Sequence, residues 1–277
     1  MTVTDAPSAI PRDGIADYRF LRELGAGNHG VFYLARRPER LPVSADVVAV
    51  KVISGASAQD TFRRAVRELA AFAAVPSPYL VTLYDAGQQG SDLYYSMEYL
   101  AGGSLANPAT PPERHAVLAA VADAARAAHA LHEAGIAHND IKPGNILLHA
   151  GGGRLADLGL SQVLMPGVTV TGLGPAACVE YLDPALIGGG APSRASDVYA
   201  LGATLHRALT GEGLYGDLPA GNTMLAVRRV MSRPATISAS LDSATRAVIG
   251  RAIRLANAAW PANALDLAER LDALDRT

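Results

Sequence analysis

The stretch HNDIKPGNILL, His138 to Leu148, with ADLGL at Ala156 to Leu160 close behind it, decides how the rest of the chain is read. It sets Asp140 two residues before Lys142, five before Asn145 and seventeen before Asp157. Metal-dependent phosphoryl transfer could use those four groups directly. A carboxylate such as Asp140 can take the proton of an attacking hydroxyl, and the Lys142 ammonium can offset charge on the group being transferred. Asn145 and Asp157 offer the oxygen donors that a hard cation such as Mg²⁺ prefers.

Upstream, YRFLREL alternates from Tyr18 and runs into GAGNHGVFYLA, which reads as strand, glycine-rich turn, strand. Gly25, Gly27 and Gly30 stand at G-x-G-x-x-G spacing, where bare backbone can approach phosphate oxygens and aim N–H groups at them. A dinucleotide-binding turn would need a helix to begin inside the motif; VFYLARR continues as strand, which disfavours that reading. His29 reads as an exposed turn residue. VVAVK ends on Lys51, and an amphipathic helix over roughly Ala58 to Ala74 carries Glu68. YLVTLYDAG and LYYSMEYL then complete a small antiparallel sheet. A long helix from Pro112 to Ala134 leads into the decisive stretch, and SDVYALGATLHRALTG, Ser196 to Gly211, follows as a second. The text up to Arg233 is punctuated by Gly and Pro, and two amphipathic helices, Leu241 to Leu255 and Ala262 to Leu274, close the chain.

In this order the segments resemble the eukaryotic-type (Hanks-type) serine/threonine protein kinases, in a bacterial-like form. The resemblance runs from about Tyr18 to Leu274, and Lys142 resembles the serine/threonine branch. It implies an α+β, bilobal protein-kinase-like fold: an N-lobe and hinge over 18–100 with one key helix, a mainly helical C-lobe over 101–277, and a flexible tail over 1–17. It also implies roles. Gly25, Gly27 and Gly30 cover the phosphates of ATP, and Lys51, held by Glu68, meets them. Phe32 and Ala49 above and Leu147 below enclose the adenine, Met97 stands beside it, and the backbones of Glu98 and Leu100 bond its edge. Asp140 is the base, Lys142 stabilises the phosphoryl group, and Asn145 and Asp157 hold Mg²⁺, with Mn²⁺ as a substitute. The implied partner is a protein substrate or a regulatory protein.

Departures from the family pattern gather in a few places. Asn139 replaces the arginine before the catalytic aspartate, a residue that typically meets a phosphate on the activation loop, so activity is expected not to wait for that modification. Phe32 is bulkier than the usual valine. Cys178 stands for a threonine whose hydroxyl bridges the catalytic aspartate and lysine, and a thiol is a weaker partner. Ala185 and Trp260 replace both members of an ion pair together, which avoids stranding one buried charge and suggests an apolar substitute. Ser161, Thr169 and Thr171 are candidate autophosphorylation sites.

Composition narrows the field. A net charge of −2 with 18% charged residues is no polyelectrolyte signature, so nucleic acid is not the expected partner. Arg36, Arg37 and Arg40 read as a solvated face. One cysteine, Cys178, excludes an internal disulfide framework and a thiolate metal site and fits a reducing, cytoplasmic setting. MTVTDAPSAIPRDG lacks the basic start and apolar run of a signal peptide. The Ala-rich stretch Ala116 to Ala134 is broken by Asp123, Arg126 and Glu133, so no membrane span is expected. His129, His132 and His138 suggest zinc, but no further ligands follow at a recognisable spacing, and His138 matches the family's packing histidine. Two other readings stand beside the active kinase: a pseudokinase that binds nucleotide or a partner, and a small-molecule phosphotransferase of the antibiotic-kinase type.

Overall fold

The computed structural model describes residues 13–27, 30–54, 59–157, 176–254 and 263–276. The chain divides into two compact units, Met1–Val66 with Thr82–Tyr99, and Arg67–Val81 with Leu100–Thr277. The segment Arg67–Val81, expected with the first unit, belongs to the second for a clear reason. Phe72 is 2% exposed and meets the His138 ring edge-on, and Tyr79 and Val81 exchange backbone hydrogen bonds with Leu155.

The first unit is a six-stranded antiparallel sheet of β1 (Gly14–Ile15), β2 (Tyr18–Gly27), β3 (Gly30–Arg36), β4 (Val47–Ile53), β5 (Leu83–Gln89) and β6 (Asp92–Met97), ordered β1-β2-β3-β4-β6-β5. Interior β4, VVAVKVI, is almost wholly buried, whereas β2 is mostly exposed, the contrast expected between inner and outer strands. Residues 14–15 are not loose tail: they pair with Tyr18 and Arg19, and Ile15 is 3% exposed beside Tyr18, Tyr33 and Val50. Burying that Ile15 side chain is worth about 1.5–3 kcal/mol, which with the pairing to β2 offsets much of the entropy of ordering the segment. The Tyr18 hydroxyl bonds Ser96 at 2.7 Å and donates to Asp85 at 3.0 Å, and Arg40 ties Asp85 to Asp17.

The second unit holds α2 (Arg114–Glu133), the hairpin β7 (Ile146–His149) and β8 (Gly152–Leu155), short α3 (Pro184–Ile187), α4 (Arg194–Thr210), α5 (Thr223–Ser232), α6 (Ser243–Arg254) and α7 (Ala264–Asp275); α1 (Gln59–Ala73) straddles the boundary between the two units. Alanines along α2 let it pack against β8, α4 and α7 at once. Helix α4 opens on a capping box between Ser193 and Ser196 and ends at Gly211, whose φ of 73° only glycine adopts cheaply. Within α4, a Cβ on Gly202 would lie 2.7 Å from the Ala252 Cβ, so glycine there allows α4 and α6 to touch. Helix α5 falls inside the Gly- and Pro-punctuated text, where sequence reading placed none. Its apolar Met224, Leu225 and Met231 are exposed, which blurs the periodicity, although Asn222 caps it as the residue type predicts. No helix among the described residues is long and apolar enough to cross a membrane.

His206, 1% exposed on α4, fixes the turn beyond that helix. Its Nε2 accepts from the Ser238 N–H, so Nδ1 carries the proton and donates to the Glu212 carbonyl, each at 3.0 Å. Burial pushes its pKa below the ordinary 6.5, against the opposing Glu212 carbonyl bond and the Glu212 and Glu180 charges; Arg207 adds to the depression. The folded state therefore holds His206 neutral. Its contribution is intact above about pH 6.5 and is lost as pH falls from there through the lower folded pKa. The melting temperature should drop between about pH 7.5 and pH 5.5, less steeply in His206→Gln; parallel profiles would remove His206 as a source.

Candidate active site

In the second unit the residues expected to be catalytic or metal-binding lie on the loop between α2 and β7 and just after β8. The loop is anchored from beneath by Asp197, in the first turn of α4 and 1% exposed. Its carboxylate accepts from the backbone N–H of His138 (2.7 Å), the backbone N–H of Asn139 (2.9 Å) and the His132 ring (2.8 Å). His138, fully buried, accepts the Asp140 N–H on Nδ1 and donates from Nε2 to the Ala156 carbonyl at 3.2 Å, joining the loop to the segment just after β8 that carries Asp157. Two of the three histidines considered for zinc, His132 and His138, thus serve as loop supports.

Asn139 stands at φ 66°, in the left-handed region where asparagine is among the least costly non-glycine residues. Its amide donates to the Ala137 carbonyl, and its Oδ1 is buried without a partner among the described residues. Asp157 is likewise left-handed, φ 60°, and 8% exposed.

Around Asp140 the geometry is tight. Lys142 Nζ lies 2.8 and 2.7 Å from its two carboxylate oxygens. Asn145 Nδ2 donates to the Asp140 carbonyl at 2.6 Å and to Oδ2 at 3.0 Å. Burial lowers the Lys142 pKa, but Asp140, Cys178 and Asp157 outweigh it and hold the ammonium above its ordinary value. With its NH₂ committed to Asp140, Asn145 is oriented with Oδ1 left over as an acceptor. One amide oxygen and one carboxylate, Asp157, form an all-oxygen donor pair of the kind Mg²⁺ uses when substrate phosphates and water complete its shell.

The first unit carries the other predicted residues. Gly25 has φ 147°, closed to ordinary side chains, and a Cβ on Gly30 would lie 2.2 Å from the Val52 carbonyl, so Gly30 is demanded by the close approach of strands. Phe32 and Lys51 are register partners, and the Lys51 ammonium sits 4.9 Å from the Phe32 ring centre and 6.0 Å from that of Tyr95. Ala49 pairs with buried Met97 on β6. Glu98 donates its N–H to the Thr82 carbonyl at 2.9 Å, and its side chain accepts from the Thr82 N–H at 2.7 Å.

Glu68 and Leu100 belong to the second unit, as does Leu147, which is half-buried on β7. Glu68 is exposed on α1. Leu100 gives its carbonyl to Gly103, and among the described residues its N–H has no partner.

The sequence matches the protein kinase domain over residues 18–273. The chain belongs to the protein kinase family. This kinase domain is 34% identical to the serine/threonine-protein kinase PknJ of Mycobacterium tuberculosis, over 86% of the chain and 42% of that protein. It is 33% identical to PknK of the same organism, over 94% of the chain and 24% of the relative. PrkC of Bacillus subtilis is 34% identical over 70% and 30%. The chain thus spans less than half the length of these curated relatives. Among solved structures, the PknI kinase domain of M. tuberculosis aligns with a TM-score of 0.66 and 24% identity, covering 95% of this chain and 99% of that one, which establishes the bilobal kinase fold.

One feature of the kinase domain escaped sequence reading. Ala185 is exposed, and Trp260 lies outside the described residues, as do His29, Ser161, Thr169 and Thr171. An ion pair that the sequence reading did not foresee lies close by in the chain. Glu180, 3% exposed, is gripped bidentately by Arg207 from the last turn of α4, at 2.9 and 3.1 Å. Burial, then the Glu180 carboxylate, raises the neighbouring Tyr181 phenol. Nothing in spacing links a glutamate and an arginine 27 positions apart; only helix packing brings them together.

Proposed function

We propose that this domain transfers the γ-phosphate of ATP to serine or threonine hydroxyls of a protein substrate, in a cytoplasmic setting. The observation that carries the reading is the Lys142–Asp140–Asn145 cluster, which presents one carboxylate held by an ammonium and an amide. Asp140 orients and deprotonates the incoming hydroxyl; Lys142 stays charged and offsets the phosphoryl oxygens. Asn145 and Asp157 would hold Mg²⁺ or Mn²⁺, which supplies Lewis-acid neutralisation of phosphate charge. Gly25, Gly27 and Gly30 are assigned to the phosphates with Lys51, Glu68 acting as the lysine's partner once nucleotide is bound. Ala49, Phe32, Met97 and Leu147 are assigned to the adenine, and Glu98 and Leu100 offer it backbone groups.

A second reading, a nucleotide- or partner-binding module without turnover, is favoured by the Phe32 ring lying over Lys51. Incubation with γ-labelled ATP and Mg²⁺ or Mn²⁺, with the domain itself and a generic basic protein as acceptors, separates the two. Incorporation supports the kinase. Nucleotide-dependent thermal stabilisation without incorporation supports the module.

We also infer that turnover does not depend on activation-loop phosphorylation, because Asn139 brings no cation to a phosphate. Thr169→Ala combined with Thr171→Ala should keep the rate within about threefold of the parent. A much larger loss would mean that another basic group has taken the arginine's place.

A further inference from the structure

Behind the start of α3, within the second unit, lies a cavity of about 550 Å³. At its wall is Asp183, 4% exposed. One carboxylate oxygen caps α3 by accepting the Ala185 N–H at 2.8 Å, and among the described residues no cation pairs with the group. A buried carboxylate without a counter-charge is costly, and burial raises its pKa accordingly. Tyr199 and Tyr215, hydroxyls joined at 2.7 Å, line the same cavity. Val230 and Ile237 supply apolar wall, and Arg233, exposed on the chain just past α5, also lines it.

We propose that this cavity is a docking site for an arginine side chain of a protein partner, with the guanidinium meeting Asp183. The apolar wall suits the aliphatic stem of the arginine, and tyrosine rings accept a planar guanidinium face, which a compact ammonium exploits less well. Arg233, exposed and also lining the cavity, repels further cations, so the favoured arginine is flanked by acidic rather than basic residues. The site uses none of the groups assigned to phosphoryl transfer and stands whether or not that reading holds.

The test titrates the whole chain with n-butylguanidinium and with uncharged n-butylurea, following the methyl resonance of Met231, which also lines the cavity. Butylguanidinium should shift it saturably and bind about tenfold or more tightly than butylurea. Asp183→Asn keeps the helix cap, since asparagine caps as well as aspartate, and should abolish that preference. A peptide with one arginine between glutamates should displace butylguanidinium, and its citrulline counterpart should not. Equal binding of the two small probes, unchanged preference in Asp183→Asn, or no saturable shift would overturn the site. Displacement by neither peptide would overturn the protein partner.

Discussion

Replacing Asp140 with Asn should lower phosphate transfer from ATP by about 10²–10⁴-fold while nucleotide binding survives. The size follows from what the carboxylate does. Both of its oxygens lie within 2.8 Å of the Lys142 ammonium, and Oδ2 also receives Asn145, so the group is fixed in place before any substrate arrives. An asparagine keeps the shape but cannot accept a proton, and it turns an NH₂ toward an ammonium that has nothing to give it. Folding should be spared, because the second Asn145 bond goes to the Asp140 backbone carbonyl, which the substitution leaves in place. Thermal stabilisation by nucleotide should match that of the parent, since none of the groups assigned to the adenine is touched. Transfer at the parental rate in the variant would sink the assignment of Asp140 as base.

The second large effect should be on the fold of the loop. Asp197→Ala removes the acceptor of two backbone N–H groups and one imidazole in a site where both side chains of the His132 pair are 1% exposed. Leaving buried donors unpaired in such a place costs about 3–5 kcal/mol, which for a domain of this size lowers the melting temperature by roughly 6–20 °C. Transfer activity should disappear with it, because His138 and Asn139 directly precede Asp140. Asp197→Asn should fall between, since one amide oxygen can still serve some of the donors. A melting temperature within about 2 °C of the parent in Asp197→Ala would show that water or a neighbour replaces the carboxylate.

The outcome at Asn139 shows how far local sequence reaches. Its identity gave notice of a missing cation, but not that the position is left-handed, where asparagine is tolerated better than most residues. The loop is held there by the Asp197 bonds to the His138 and Asn139 N–H groups, and those come from a helix that begins more than fifty residues later. Glu180 with Arg207, and Asp183 with no cation among the described residues, were invisible for the same kind of reason. Each depends on which side chains α4 turns toward the segment before it. Ile15 was read as tail because two residues carry no periodic pattern; its burial depends on a cluster drawn from four other strands and a loop.

The amino-acid sequence by itself determined the family, the order of the elements and the identity of the groups assigned to phosphoryl transfer. Those rest on short-range spacing, which backbone geometry converts directly into a loop, a hairpin or a helix face. Tertiary structure alone decided that Glu180 is held by Arg207, and that Asp183 receives a helix N–H but no cation among the described residues. A buried charge is priced by its surroundings, and those surroundings are assembled from segments far apart in the chain.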